Sequence, residues 1–175
     1  MSGCKTCSPW AVRMVDSAQQ QVVADVARGV VAQVAPEELP LFRAQSAAYF
    51  QSPEKALKGQ GGKDEMLGFG GGEVVTFLTP VVLSVTTAVI NFLIPQIQDA
   101  LKTQSAPLIN NAVKGLFSKL TPAGSDPPSP AISLSRAQLA QVRQIAVEKG
   151  RQLNLSDSQA ALLADSLVGS LAVSA

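Results

Sequence analysis

The sequence predicts an all-α protein organised around one long apolar segment. Three observations carry that prediction. Apolar residues recur at three- and four-residue steps through the first fifty residues and again through the last forty. Between Glu73 and Asp99 there is no charged side chain. The periodic segments are separated by glycine- and proline-rich joints and opened by helix-capping pairs, rather than by the turn dipeptides that join strands.

Residues 1–58 form the first helical region. After a loose tail, Val15, Ala18, Val22, Val26, Val30 and Val34 trace one helical face, with Arg13, Asp16, Gln20 and Arg28 elsewhere around the wheel. Gly29 weakens this helix locally, and Pro36 stops it because proline has no N–H for the ladder. A second helix is expected from "PEELPLFRAQSAAYF". Glu37 and Glu38 suit its positive end, Pro40 is tolerated in its first turn, and Leu39, Phe42, Ser46, Tyr49 and Phe50 share a face. "SPEKALK" makes a short helical turn opened by Ser52 and Pro53.

Residues 59–72, "GQGGKDEMLGFGGG", hold seven glycines and read as a hinge. A phosphate-cradling loop would need a lysine followed by Ser or Thr and a strand before it, and neither is present. The apolar segment follows, and with it residues 73–120 form the central unit. Pro95 marks a kink. Residues 97–120 are amphipathic, with Leu101, Leu108, Ala112, Leu116 and Leu120 near one side, Ile109, Val113 and Phe117 beside them, and Lys102, Asn110, Lys114 and Lys119 opposite; Pro107 is expected to split this stretch. Residues 121–132 are a proline-rich linker.

Residues 133–175 read as an αα-hairpin. Ser135 with Gln138, and Ser156 with Gln159, have the Ser-x-x-Gln spacing of capping boxes, in which each side chain satisfies a free backbone group of the other residue. Leu139, Val142, Ile145 and Ala146 give the first helix its buried face, Gly150 its stop, and Leu163, Leu167 and Leu171 the stripe of the second. Two helices of this size are marginal alone. The hairpin is therefore expected to dock on the N-terminal helices, on another copy, or on a protein partner.

Composition narrows the chemistry. The chain of 175 residues has a formal charge of +1, with charged residues at 15% and hydrophobic ones at 46%. Its basic residues are scattered without interleaved aromatics, so nucleic acid is not an expected partner. Histidine is absent, which excludes Ser-His-Asp and Cys-His nucleophilic sites and any His-ligated metal. Cys4 and Cys7 make a lone C-x-x-C, half of a tetrahedral zinc site with nothing in the chain to complete it. A dimer could supply the other half, and acylation is a further alternative, but free thiols in a tail are the plainer reading. The adjacent carboxylates Glu37/Glu38 and Asp64/Glu65 read as solvated. No cofactor, catalytic residue, metal site or small-molecule substrate is expected, and the chain reads as non-enzymatic.

The apolar run admits two main readings. Val74 to Ile94 is 21 residues, about 31 Å as a helix, which matches a hydrocarbon core of roughly 30 Å. Against a span stand the many hydroxyl and amide groups within the run and the absence of Trp or Tyr at either edge, so a buried core helix is the alternative; two strands around Pro80 are a third. Thr76, Pro80, Ser84, Thr87 and Asn91 step by four, four, three and four and trace one stripe. In lipid such a stripe is a helix-association seam or the lining of a small pore; otherwise its hydroxyls bond back to their own helix. Lysines flank the run equally, so the positive-inside rule gives no orientation, and the lack of a leader peptide leans toward a cytosolic N-terminus.

Two stretches carry a resemblance. "DEMLGFGGGEVVTFLTPVVLSV" is similar to the segment leading into the apolar helix of small bacterial proteins, and "LSRAQLAQVRQIAVEKGRQLNLSDSQAALLADSLVGSLA" to their C-terminal hairpin. Those proteins accompany bacterial conflict or signalling systems. The resemblance implies an accessory or effector at the bacterial inner membrane and transfers no catalytic residue. The expectation is thus a single-pass, self-associating membrane protein, an anchor or a membrane-perturbing effector, whose partners are the bilayer and further copies of itself. The alternative is a soluble all-α adaptor or scaffold with residues 74–94 as its core helix.

Overall fold

The computed structural model describes residues 9–58, 77–120 and 132–171, with side chains described from residue 17 onward. Among these residues it is all-helical. The elements are α1 (Pro9–Val34), a 3-10 turn (Pro36–Glu38), α2 (Phe42–Gln51), α3 (Pro53–Lys58), α4 (Thr79–Leu101), α5 (Ala106–Leu116), α6 (Arg136–Gln152) and α7 (Asp157–Ser170). The glycine-rich stretch 59–72, linker residues 121–131, Cys4, Cys7 and Thr76 lie outside the described residues.

The apolar helix α4 is the axis of the fold. It packs against α1, α2, α3, α5 and α6. Every residue from Thr79 to Thr86 is buried, and Val89, Ile90, Leu93 and Ile97 carry the buried face onward. α1 lays Val22, Val23, Val26, Ala27, Val30 and Val31 against this core, while α5 adds Ile109, Ala112, Val113 and Leu116. The hairpin α6–α7 has a shared seam of Val142, Ala146, Leu163 and Leu167 and docks on α4 and α1. Polar contacts fix that docking. Gln138 Nε2 donates to Gln96 Oε1 of α4, Ser166 Oγ donates to Gln33 Oε1 of α1 at 2.7 Å, and Lys119 Nζ donates to the Gly169 carbonyl at 3.3 Å.

Both capping boxes form. Ser135 N donates to Gln138 Oε1 at 2.8 Å, and Gln138 N donates to Ser135 Oγ at 3.3 Å; Ser156 and Gln159 repeat the pattern at 3.1 and 3.3 Å. Two exposed ion pairs brace the hairpin, Arg143 to Asp165 and Arg151 to Asp157. The Arg143 pKa is raised, first by its hydrogen bond to Asp165 and then by that residue's charge.

Several local expectations change. α4 begins at Thr79, not Val74, and runs through Pro95 to Leu101. Pro95 would have bonded to the Asn91 carbonyl one turn back; both residues are exposed, so the freed carbonyl faces solvent and the helix continues. α4 is ended by Lys102, in the left-handed conformation (φ 50°), with Thr103 N closing back onto the Gln98 carbonyl. The split expected in residues 97–120 falls just ahead of Pro107, between the end of α4 at Leu101 and the start of α5 at Ala106. Pro107 sits in the first turn of α5, where its missing N–H is harmless. The buried face of α5 and the turn after it is the expected one, Ile109, Ala112, Val113, Leu116, Phe117 and Leu120, except that Leu108 is exposed. Pro40 lies before α2, because residues 36–38 form a separate 3-10 turn.

Two glycines serve packing. Gly150 does not stop α6, which continues to Gln152; it is buried where α6 crosses α7, and a Cβ there would lie 3.1 Å from Ala160 Cβ. The reversal falls at Asn154, in the left-handed region at φ 64°. Gly29 permits the close approach of the chain after α5, since a Cβ there would lie 2.5 Å from the Leu120 carbonyl oxygen.

Candidate functional site

The feature with most functional content is α4 itself, its polar stripe and its first turn. By length and composition this 23-residue helix can cross a membrane. Its stripe is distributed differently from one uniform seam. Pro80 and Ser84 are buried inside the fold. Thr87 is half-buried, and its Oγ1 donates to the Leu83 carbonyl of the same helix at 2.7 Å. Asn91 is exposed, and its Oδ1 accepts from Gln19 Nε2 of α1 at 3.0 Å. The described stripe residues therefore find their company within one chain. Off the stripe, Thr86 is wholly buried, and its Oγ1 has no partner among the described residues.

The first turn of α4 is held by a residue that sequence reading left in solvent. Any helix start leaves backbone N–H groups without intrahelical partners. Leu78, at the cap position, is in the helical region, and its apolar side chain accepts nothing. Glu38 supplies the missing acceptor from the turn between α1 and α2. Its Oε1 accepts from Leu78 N at 2.6 Å, and its Oε2 accepts from Thr79 N at 2.8 Å and Thr79 Oγ1 at 2.6 Å. Pro80 has no N–H to satisfy. The carboxylate thus meets the positive end of α4's dipole, not that of α2. Glu38 is positioned by its own turn: its N–H donates to the Ala35 carbonyl and its carbonyl accepts from Leu41 N, both at 3.0 Å. The separation of 40 residues hides this pairing from any local pattern. The one available signal was a negative one, a helix start with Leu78 where a capping side chain would stand.

A cleft of about 380 Å³ opens between α1 and α5, lined by Gln21, Val22, Pro107, Asn110, Asn111 and Lys114 among others. Its described lining offers amides and one ammonium, without the nucleophile–base pairing that covalent catalysis uses. Among the described residues no group of three or more Cys, Asp or Glu side chains is placed to hold a metal ion. Comparison with protein-family models, curated proteins and solved structures gives no match to this chain. The class defined by fold and site is therefore an all-α bundle with a span-length helix at its centre.

Proposed function

We propose that this chain is a non-enzymatic binding or scaffold module, soluble when folded, in which α4 is the core and the outer helices present the working surface. The observation that supports it most is the sheath around α4. Five helices cover the helix, and its most apolar stretch, Val81 to Val85, is buried side by side in the fold. Apolar surface already removed from water gains little from transfer to lipid. The hairpin, whose capping boxes and ion pairs leave an outward face with Leu162 exposed, is the part best suited to meet a protein partner.

Fractionation of cells expressing the full chain tests this reading. The protein is expected in the supernatant after carbonate extraction and as one monodisperse species without detergent. Retention in carbonate-washed membranes overturns it.

The length of α4 favours a second reading, in which the chain associates with a bilayer and with copies of itself once α4 leaves the bundle. Ser84 and Asn91 would then be free to bond between helices. This reading retains the bacterial inner membrane as the location and predicts the opposite fractionation.

A further inference from the structure

We propose that the contact between Glu38 and the first turn of α4 is a latch that keeps a span-length helix inside the bundle, and that its loss lets α4 engage a lipid bilayer. The inference rests on the reading that the folded chain is soluble.

A bilayer can replace some contacts of α4 and not others. Val81, Val82, Leu83, Val85, Val89 and Leu93 are held by apolar packing alone. Lipid tails are as apolar as leucine, so these contacts discriminate weakly between bundle and membrane. Hydrogen bonds to other elements discriminate strongly, because hydrocarbon offers none. α4 has such ties at its start, with Glu38; in its middle, from Asn91 to Gln19; and near its end, from Gln96 to Gln138. The first differs from the other two in being charged and in engaging three donors at once. Charge-assisted bonds are about twice as strong as neutral ones. Glu38 also belongs to the corner that ends α1, so its bonds require α4 to start beside that corner. A ligand or a bilayer shifts a two-state equilibrium only through differential free energy, and this contact exists only in the sheathed state.

The experiment is flotation of the full chain with neutral phosphatidylcholine vesicles, which exclude attraction by lipid charge. Wild type is expected to stay in the dense fraction. Glu38→Ala is expected to remain helical and to float, with apparent vesicle affinity raised about tenfold or more, the factor that one lost charge-assisted bond corresponds to. Glu38→Gln, which keeps one acceptor oxygen, and Thr79→Val, which keeps both backbone bonds, should fall between. Ser156→Ala removes a comparable cap on α7, away from α4, and should not float.

The latch is overturned if Glu38→Ala floats no better than wild type, or if Ser156→Ala floats equally well. Should Glu38→Ala not fold, the milder pair decides: flotation of both at the wild-type level overturns it. Wild type that floats as well as the variants also overturns the latch, whereas only carbonate-resistant membrane retention overturns the soluble reading itself.

Discussion

Replacing Gly29 by alanine opposes two effects of known sign. Within a helix, alanine is favoured over glycine by about 1 kcal/mol, so propensity alone predicts stabilisation. The new Cβ, however, would lie 2.5 Å from the Leu120 carbonyl oxygen, 2.6 Å from Leu120 Cβ and 2.9 Å from Leu120 Cα. Two of these are backbone atoms, so no side-chain rotation relieves the contact. Leu120 is itself buried, and its N–H donates to the Phe117 carbonyl at 2.8 Å, so a shift of about an ångström disturbs the turn that follows α5. Overpacking of this kind costs about 1–3 kcal/mol and occasionally more, and a backbone clash belongs at the upper end. The expected net effect of Gly29→Ala is destabilisation by about 1–2 kcal/mol. Urea denaturation read by circular dichroism measures it as a lower midpoint with an unchanged slope. Gly169→Ala is the internal control, because a Cβ at that helical position meets nothing within 4 Å. It should stabilise by about 0.5–1 kcal/mol. If Gly29→Ala is as stabilising as Gly169→Ala, α1 and the segment after α5 do not approach as described.

Further expectations follow from single contacts. Thr86→Val should raise stability by about 1 kcal/mol in thermal or urea melts, since it replaces a buried hydroxyl without a described partner by a methyl group; a loss of stability would place a bond on that hydroxyl. Leu93→Ala, at a fully buried position on α4, should cost about 2–5 kcal/mol by urea denaturation, and a cost below 1 would mean that this face of α4 is not in the core. Asn91→Leu should leave the molar mass by light scattering unchanged, because Asn91 bonds to Gln19 of its own chain; a smaller species would restore the stripe as an intermolecular seam. Ser135→Ala and Ser156→Ala should each cost about 0.5–2 kcal/mol, in proportion to the lost caps, and additively because the two lie at opposite ends of α6.

What was legible in the sequence was local. The periodicity of Val22, Val26 and Val30, the stop at Pro36, the short helix opened by Pro53 and the two Ser-x-x-Gln boxes each depend on residues within a turn or two, and each stands in the structure. The places where local reasoning failed share one cause, a distant neighbour. Gly29 looked like a weak point in α1 until Leu120 lay against it. Gly150 looked like a stop until Ala160 needed the space. Glu38 looked solvated until Leu78 and Thr79, some 40 residues on, presented their N–H groups to it.

The sequence alone also determined that one helix would be uncharged for most of its length and long enough for a bilayer, since length and hydropathy are properties of the residues themselves. It could not determine what covers that helix. The same valines and leucines satisfy lipid or protein equally well, because the hydrophobic effect is non-directional and records only removal from water. Only the tertiary structure shows what protein lies around it: α1, α2, α3, α5 and α6 pack against α4, and a carboxylate from another part of the chain closes its first turn.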